Sequence, residues 1–325
     1  MKLLCKMVFV FGVLFFVILT AVGCSGRNLS GVESRKMVKV IVKNKDADFW
    51  KVVKMGAEAA GKEFGVIVDF DGPTDEKDIQ GQIELVRRVI DDKADALVLA
   101  ACDYNRLVEV TEKVIDAKIP VIVIDSALNS RRIKSFIATD NVDAGRKAGE
   151  ALIRLVGDDC KVAVMSFIKG AASADQREEG FFNIVDRHPG IKIVAKEYCF
   201  SDESLAESLT RKIIGENGDI DAFVCLNAYG VVGTARAIKH MNLAGKVKII
   251  GFDSTPEEVS FIEKGVVQAT VIQNPFSMGY LGVKNAVDAI NGLSVPQYIN
   301  TGSKVIDKNN MYFPENQKLV FPFVN

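Results

Sequence analysis

From Met37 to about residue 290, short branched apolar runs alternate with segments of helical period, and few folds accommodate that rhythm. MVKVIVK at Met37–Lys43, ALVLA at Ala96–Ala100 and PVIVI at Pro120–Ile124 are too short for helices and rich in branched residues. They read as strands covered on both faces. Phe49, Val53, Ala57, Ala60 and Phe64 recur at helical spacing after the first run. The same reading predicts strands at Val66–Phe70, Ser135–Ala138, Lys161–Ser166, Ile191–Glu197, Ala222–Leu226, Val247–Gly251 and Val266–Ile272. Helices are expected over Glu76–Asp92, Asn105–Ala117, Asp140–Val156, Ser173–Arg187, Asp202–Ile214, Gly230–His240, Thr255–Lys264 and Met278–Asn291. Gly292–Asn325 is expected to be irregular and to return across a lobe junction. Alternation of this kind belongs to doubly wound α/β domains with parallel sheets. A chain of 325 residues exceeds one ordinary core, so two domains are expected.

Three successive strands end on polar residues: Asn227 after Ala222–Leu226, Asp253 after Val247–Gly251, and Gln273 at the end of Val266–Ile272. Taken singly, each is equally well a helix cap or a turn residue. In series they fall at the carboxyl edge of a parallel sheet, where open α/β sheets bind ligands.

The N-terminus is separate. Lys2 and Lys6 precede an apolar run, Val8–Ala21, of signal-peptide length, followed by Ala21-Val22-Gly23-Cys24 and a polar stretch. Small residues immediately before a cysteine resemble a bacterial lipobox, which makes residues 1–23 a lipoprotein signal, Cys24 the lipidated residue and 24–36 a tether. The competing reading is an uncleaved membrane anchor; either one puts the body outside the cytoplasmic membrane. Without Lys2 and Lys6 the chain has 39 basic and 42 acidic residues, a charge of −3, so attachment is expected through lipid and not charge. Near-neutrality also gives no reason to expect nucleic acid. Cys102, Cys160, Cys199 and Cys225 show no CxxC spacing and no nearby histidine, which argues against a metal site. No nucleophile–base pair or phosphate loop stands out, so an enzyme is not expected, and no cofactor is implied.

A short internal echo relates the two halves: ADALVLAA at Ala94–Ala101 resembles IDAFVCLN at Ile220–Asn227. About one strand–helix unit later come Asp125 and Asp253 respectively. Together with DFW (Asp48–Trp50), IPVIVID (Ile119–Asp125), ATDNVDAGRKAGE (Ala138–Glu150), REEGFF (Arg177–Phe182), LNAYGVVGTARAI (Leu226–Ile238), IIGFDSTPE (Ile249–Glu257) and ATVIQNP (Ala269–Pro275), these features make the chain resemble a type I periplasmic sugar-binding protein. That fold is shared with LacI-type repressors, but no helix-turn-helix precedes Met37.

The resemblance implies two doubly wound parallel-sheet lobes joined by a multi-strand hinge, with the ligand cleft between them. Lobe boundaries are expected at 37–139 plus about 274–300, and 140–273 plus about 301–325. It implies that Phe49 and Trp50 cover the apolar face of a sugar ring, unless they serve as core residues at the helix start. Asp125, Arg177, Asn227, Asp253 and Gln273 are implied to hold its hydroxyls, with Lys43, Ser126 and Phe200 as further candidates. Ser126 stands where a ribose site has Arg, Ala47 where it has Asn, and Lys43 where it has a hydroxyl residue. Simple ribose specificity is therefore not expected, and Lys43 either pairs with Asp125 or meets an anionic or unusually oxygenated ligand. The implied role is a monomeric, lipid-anchored receptor delivering a monosaccharide or polyol to an ABC permease. The alternative is a sensor presenting ligand to a membrane kinase or chemoreceptor.

Overall fold

The computed structural model describes residues 35–323, so the apolar leader and Cys24 lie outside the described residues. Two six-stranded sheets form the frame. The first contains β1 (Met37–Ile41), β2 (Ile67–Asp71), β3 (Ala96–Leu99), β4 (Val121–Ile124), β5 (Ser135–Ala138) and β11 (Tyr298–Asn300), in the order β11-β5-β4-β3-β1-β2 and parallel throughout. The second contains β6 (Cys160–Ser166), β7 (Ile191–Tyr198), β8 (Ala222–Cys225), β9 (Lys248–Phe252), β10 (Ala269–Ile272) and β12 (Lys304–Asp307), in the order β12-β10-β9-β8-β6-β7. Only β12 runs antiparallel, against β10.

Both faces of each sheet are covered, which explains the unbroken apolar runs. In the first sheet Val98, Ile122 and Ile124 face α1 (Asp48–Phe64) and α9 (Pro275–Ile290), while Leu97, Leu99 and Val123 face α2 (Ile79–Asp91) and α3 (Val108–Asp116). The second sheet carries α4 (Asn141–Val156), α5 (Ala172–Val185), α6 (Glu203–Asn217), α7 (Ala228–His240), α8 (Pro256–Glu263) and α10 (Pro314–Val320) around one contiguous core.

The chain passes between the sheets three times: after β5, after β10 and after β11. The first and third passages are tied together. Thr139 Oγ1 donates to Gly302 O at 3.3 Å, Asp140 N to Asn300 Oδ1 at 3.2 Å, and Lys147 Nζ to Ser303 O at 2.9 Å.

Two expectations are corrected. Gly292–Asn325 is not irregular: it supplies β11, β12 and α10. YIN and KVID are edge strands only a few residues long and half-exposed, so no apolar run announces them. The helix expected from Glu76 begins instead at Ile79, because Asp78 caps it, its Oδ1 accepting Gly81 N at 2.8 Å. Glu76 is thereby left in the loop after β2.

Candidate ligand-binding site

The carboxyl edges of the two sheets enclose a cavity of about 360 Å³. This lies within the span typical of small-molecule sites, about 300–1,000 Å³. Its wall includes Lys43, Phe49, Trp50, Asp125, Arg177, Asn227, Asp253 and Gln273, so eight of the ten residues singled out in the sequence converge there.

The first sheet contributes the aromatic wall and a buried ion pair. Asn44 Oδ1 accepts the backbone N–H of Asp46 and of Ala47, which turns the chain from β1 into α1. Phe49 and Trp50 follow in the first turn and pack edge-to-face at 4.9 Å. Trp50 lines the cavity and also packs with Val53 and Ala57 in the core, where it is only 3% exposed. Lys43 Nζ stands 3.0 Å from Asp125 Oδ2 and 5.6 Å from the Trp50 ring. The pairing of Lys43 with Asp125 considered in the sequence is present. Burial works against the ammonium, but the carboxylates of Asp125 and Glu76 outweigh it and raise the Lys43 pKa. Ser126 is buried beside the site, off the cavity wall, its Oγ accepting from Ser173 Oγ at 3.5 Å.

The second sheet brings Asn227, Asp253 and Gln273 together because β8, β9 and β10 are neighbours. Asn227 lines the cavity and is also a helix cap: its Oδ1 accepts Gly230 N at 2.9 Å at the start of α7. Gln273 Nε2 donates to Asp253 Oδ1 at 2.6 Å, leaving Gln273 Oε1 buried and unpartnered. Arg177 is held on every side. Its Nε donates to Asn141 Oδ1 at 2.9 Å and its Nη1 to Leu226 O at 2.7 Å, while Nη1 lies 3.9 Å from Asp253 Oδ2. The guanidinium carbon sits 4.6 Å from the Phe252 ring and 5.5 Å from that of Phe167. Helices α4 and α5 cross so closely that a Cβ on Gly145 would fall 2.1 Å from Arg177 O, which fixes where the side chain starts. Phe200 is not in the wall. It is 42% exposed, and the left-handed backbone of Phe200 and Ser201 (φ 51° and 53°) carries its ring away from the cavity lining.

The echo in the sequence has a backbone counterpart. Asp125 and Asp253 both adopt left-handed conformations, φ 59° and 75°. Each donates its N–H to the neighbouring strand, Asp125 to Ile137 O and Asp253 to Val271 O, both at 3.0 Å. Non-glycine residues in this region concentrate at functional sites, and Asp tolerates it better than most.

Several wall residues escaped the sequence reading. Ser173 accepts from Lys43 Nζ at 3.5 Å, Tyr229 Oη from Asn44 Nδ2 at 3.3 Å, and Glu76 Oε2 from Ser201 Oγ at 2.9 Å. All three contacts join elements of different sheets, and no local pattern encodes such pairs. A loop after a strand's carboxyl end was the available signal for Glu76, hidden by the overlong helix. The four cysteines are free and buried, and burial pushes the Cys199 thiol up to about 11. Among the described residues no His, Cys, Asp and Glu cluster could hold a metal, and no helix is long and apolar enough to cross a membrane.

Comparison with known proteins agrees with this geometry. The periplasmic binding protein domain family matches residues 38–294. The D-allose-binding periplasmic protein of Escherichia coli is 29% identical, over 77% of this chain and 83% of its own length. The ribose import binding protein of Haemophilus influenzae is 28% identical, over 86% and 94%. Among solved structures, an ABC transporter solute binding protein from Agrobacterium vitis with bound D-fucose superposes with a TM-score of 0.85 at 35% identity, covering 88% of this chain and all of that one. A carbohydrate transporter solute binding protein from Agrobacterium radiobacter in complex with D-arabinose gives 0.86 at 31%, over 89% and 99%. With its paired α/β lobes, the chain belongs to the periplasmic binding protein family, a family of transport receptors and not of enzymes.

Proposed function

We propose that this chain is the lipid-anchored, extracytoplasmic receptor of an ABC importer, binding a monosaccharide or related polyol in the cavity and delivering it to a membrane permease. The observation that carries the reading is the wall itself: aromatic faces on one side and planar Asp, Asn, Arg and Gln groups converging from both sheets. Aromatic rings cover the C–H face of a pyranose, and planar polar groups bind vicinal hydroxyls in pairs. The sugars named for the relatives, ribose, allose, D-fucose and D-arabinose, share that chemistry. Lobe boundaries follow the three passages, and closure about them would form the Glu76–Ser201, Asn44–Tyr229 and Lys43–Ser173 contacts. A ligand touching both sheets shifts the equilibrium towards that closed form, which the permease would recognise.

The test is thermal unfolding of the full chain, followed by Trp50 fluorescence, against D-ribose, D-arabinose, D-fucose, D-allose, D-glucose, D-galactose and the corresponding polyols. At least one should raise Tm saturably. No shift with any of them would refute the sugar-receptor reading.

A further inference from the structure

The charges in the cavity do not balance. Lys43 is committed to Asp125, and Arg177 is spent on Asn141, Leu226 and Asp253. Six carboxylates line the cavity against these two cations. Asp48 and Glu203 are paired outside it with Lys51 and Arg236, and Asp46 is exposed. Of the remaining Asp125, Asp253 and Glu76, only Glu76 has no ion-pair partner among the described residues. Glu76 is only 7% exposed, lies in the cavity wall, and receives a single hydrogen bond, from Ser201 Oγ to Oε2. No hydrogen bond to its Oε1 is present among the described residues. Ser201 is held in place by Asn227 Nδ2 at 3.1 Å and by its own left-handed backbone, so Glu76 is fixed from the opposite sheet. Elsewhere in the wall Gln273 Oε1 is a buried acceptor with no hydrogen-bond partner among the described residues.

Resting on the sugar-receptor reading, we propose that Glu76 is a ligand-contacting specificity residue that sets the charge preference of the cleft. It accepts a hydroxyl or ammonium donor, favours aminated sugars over their neutral parents, and keeps sugar acids out. A buried carboxylate without a cation gains from any donor the ligand brings and strongly opposes a second carboxylate in the same low-dielectric space. Lys43, which on sequence alone was open to an anionic ligand, faces Asp125 and Glu76 together, so one ammonium stands against two carboxylates and none of its charge is left over for a ligand acid.

The experiment is calorimetry on the full chain. Each aldose that raises Tm in the screen above is compared with its 2-amino-2-deoxy derivative and its uronic or aldonic acid. The amine should bind more tightly than the acid by about a hundredfold or more, with the neutral sugar between them. Glu76→Gln keeps the shape of the side chain and should narrow that ratio by about tenfold or more. Ser201→Ala cuts the cross-sheet hydrogen bond but leaves the charge, so it should preserve the ratio even if overall affinity falls. Acid binding equal to amine binding in the wild type, or an unchanged ratio in Glu76→Gln with a native-like Tm, overturns the assignment. If Ser201→Ala reproduces the change seen in Glu76→Gln, Glu76 is only a latch between sheets and the proposal fails. Absence of binding by every sugar refutes the receptor reading instead.

Discussion

The Lys43–Asp125 pair offers a measurable consequence of burial. Both side chains are 5% exposed and their charges lie 3.0 Å apart. At an effective dielectric near 20, two unit charges at that separation attract by about 5–6 kcal/mol, most of which offsets the cost of taking both out of water. Removing one partner forfeits the attraction and leaves the other's desolvation cost uncovered. Lys43→Met should therefore destabilise by about 3–5 kcal/mol, and Asp125→Asn by a similar amount. Asn is the right replacement because it tolerates the left-handed backbone that position 125 requires. For a domain of this size the single variants should lose about 6–20 °C in Tm. The double variant Lys43→Met/Asp125→Asn leaves no orphaned charge and should lie within about 1–2 kcal/mol of wild type. Denaturant unfolding of the four proteins closes the cycle. A cost under about 1 kcal/mol for either single variant, or simple additivity in the double, would refute the reasoning, since that is how an exposed pair behaves.

Arg177→Ala should abolish measurable sugar binding and also lower Tm, because it strands Asn141 Oδ1, Leu226 O and Asp253; Arg177→Lys should recover stability more than affinity, having lost the fork. Calorimetry showing wild-type affinity in Arg177→Ala would contradict this. Trp50→Ala should cost about 3–5 kcal/mol of stability as well as affinity, whereas Phe49→Ala, half-buried, should weaken binding with a smaller change in Tm. Ligand should perturb Trp50 fluorescence saturably, and an unchanged spectrum at saturation would place the indole outside the site. Glu258 is fully buried with both carboxylate oxygens unpartnered; burial first, then the nearby Asp253 charge, raises its pKa well above the ordinary 4.5. A raised pKa contributes stability that is full below 4.5 and is lost as pH rises through the folded-state value. Glu258→Gln should thus gain on wild type by about 1.4 kcal/mol per pH unit above 4.5 until that value is reached; a difference constant from pH 4 to pH 8 would refute it. Cys24→Ser should abolish lipid labelling and processing at that site, and retained labelling would sink the lipobox reading.

Much of the frame was legible because parallel strands buried on both faces leave continuous Val, Ile and Leu runs, as at Ala96–Ala100 and Val121–Ile124. The polar strand ends were legible for the same reason: each interrupts an apolar run at the sheet's carboxyl edge, and Asn227, Asp253 and Gln273 came together as adjacent strands require. Contacts between elements of different sheets left no trace. Glu76 and Ser201 are 125 residues apart and carry ordinary loop composition. Phe200 shows the converse, since an aromatic near the right strand end was turned outwards by two left-handed residues that composition does not reveal. The tail was misread because β11 and β12 are half-exposed edge strands with no apolar run to mark them.

The proposed function requires that one small ligand be held by both sheets at once. Titration calorimetry on the full chain, with whichever sugar gives the largest rise in Tm, tests it most directly when repeated on one variant from each wall: Phe49→Ala from the first sheet's side and Gln273→Ala from the second. One ligand per chain is expected in the wild type, with a weakening of about tenfold or more in each variant separately. Wild-type affinity in either variant would mean that its wall does not touch the ligand, and would refute binding between the two sheets.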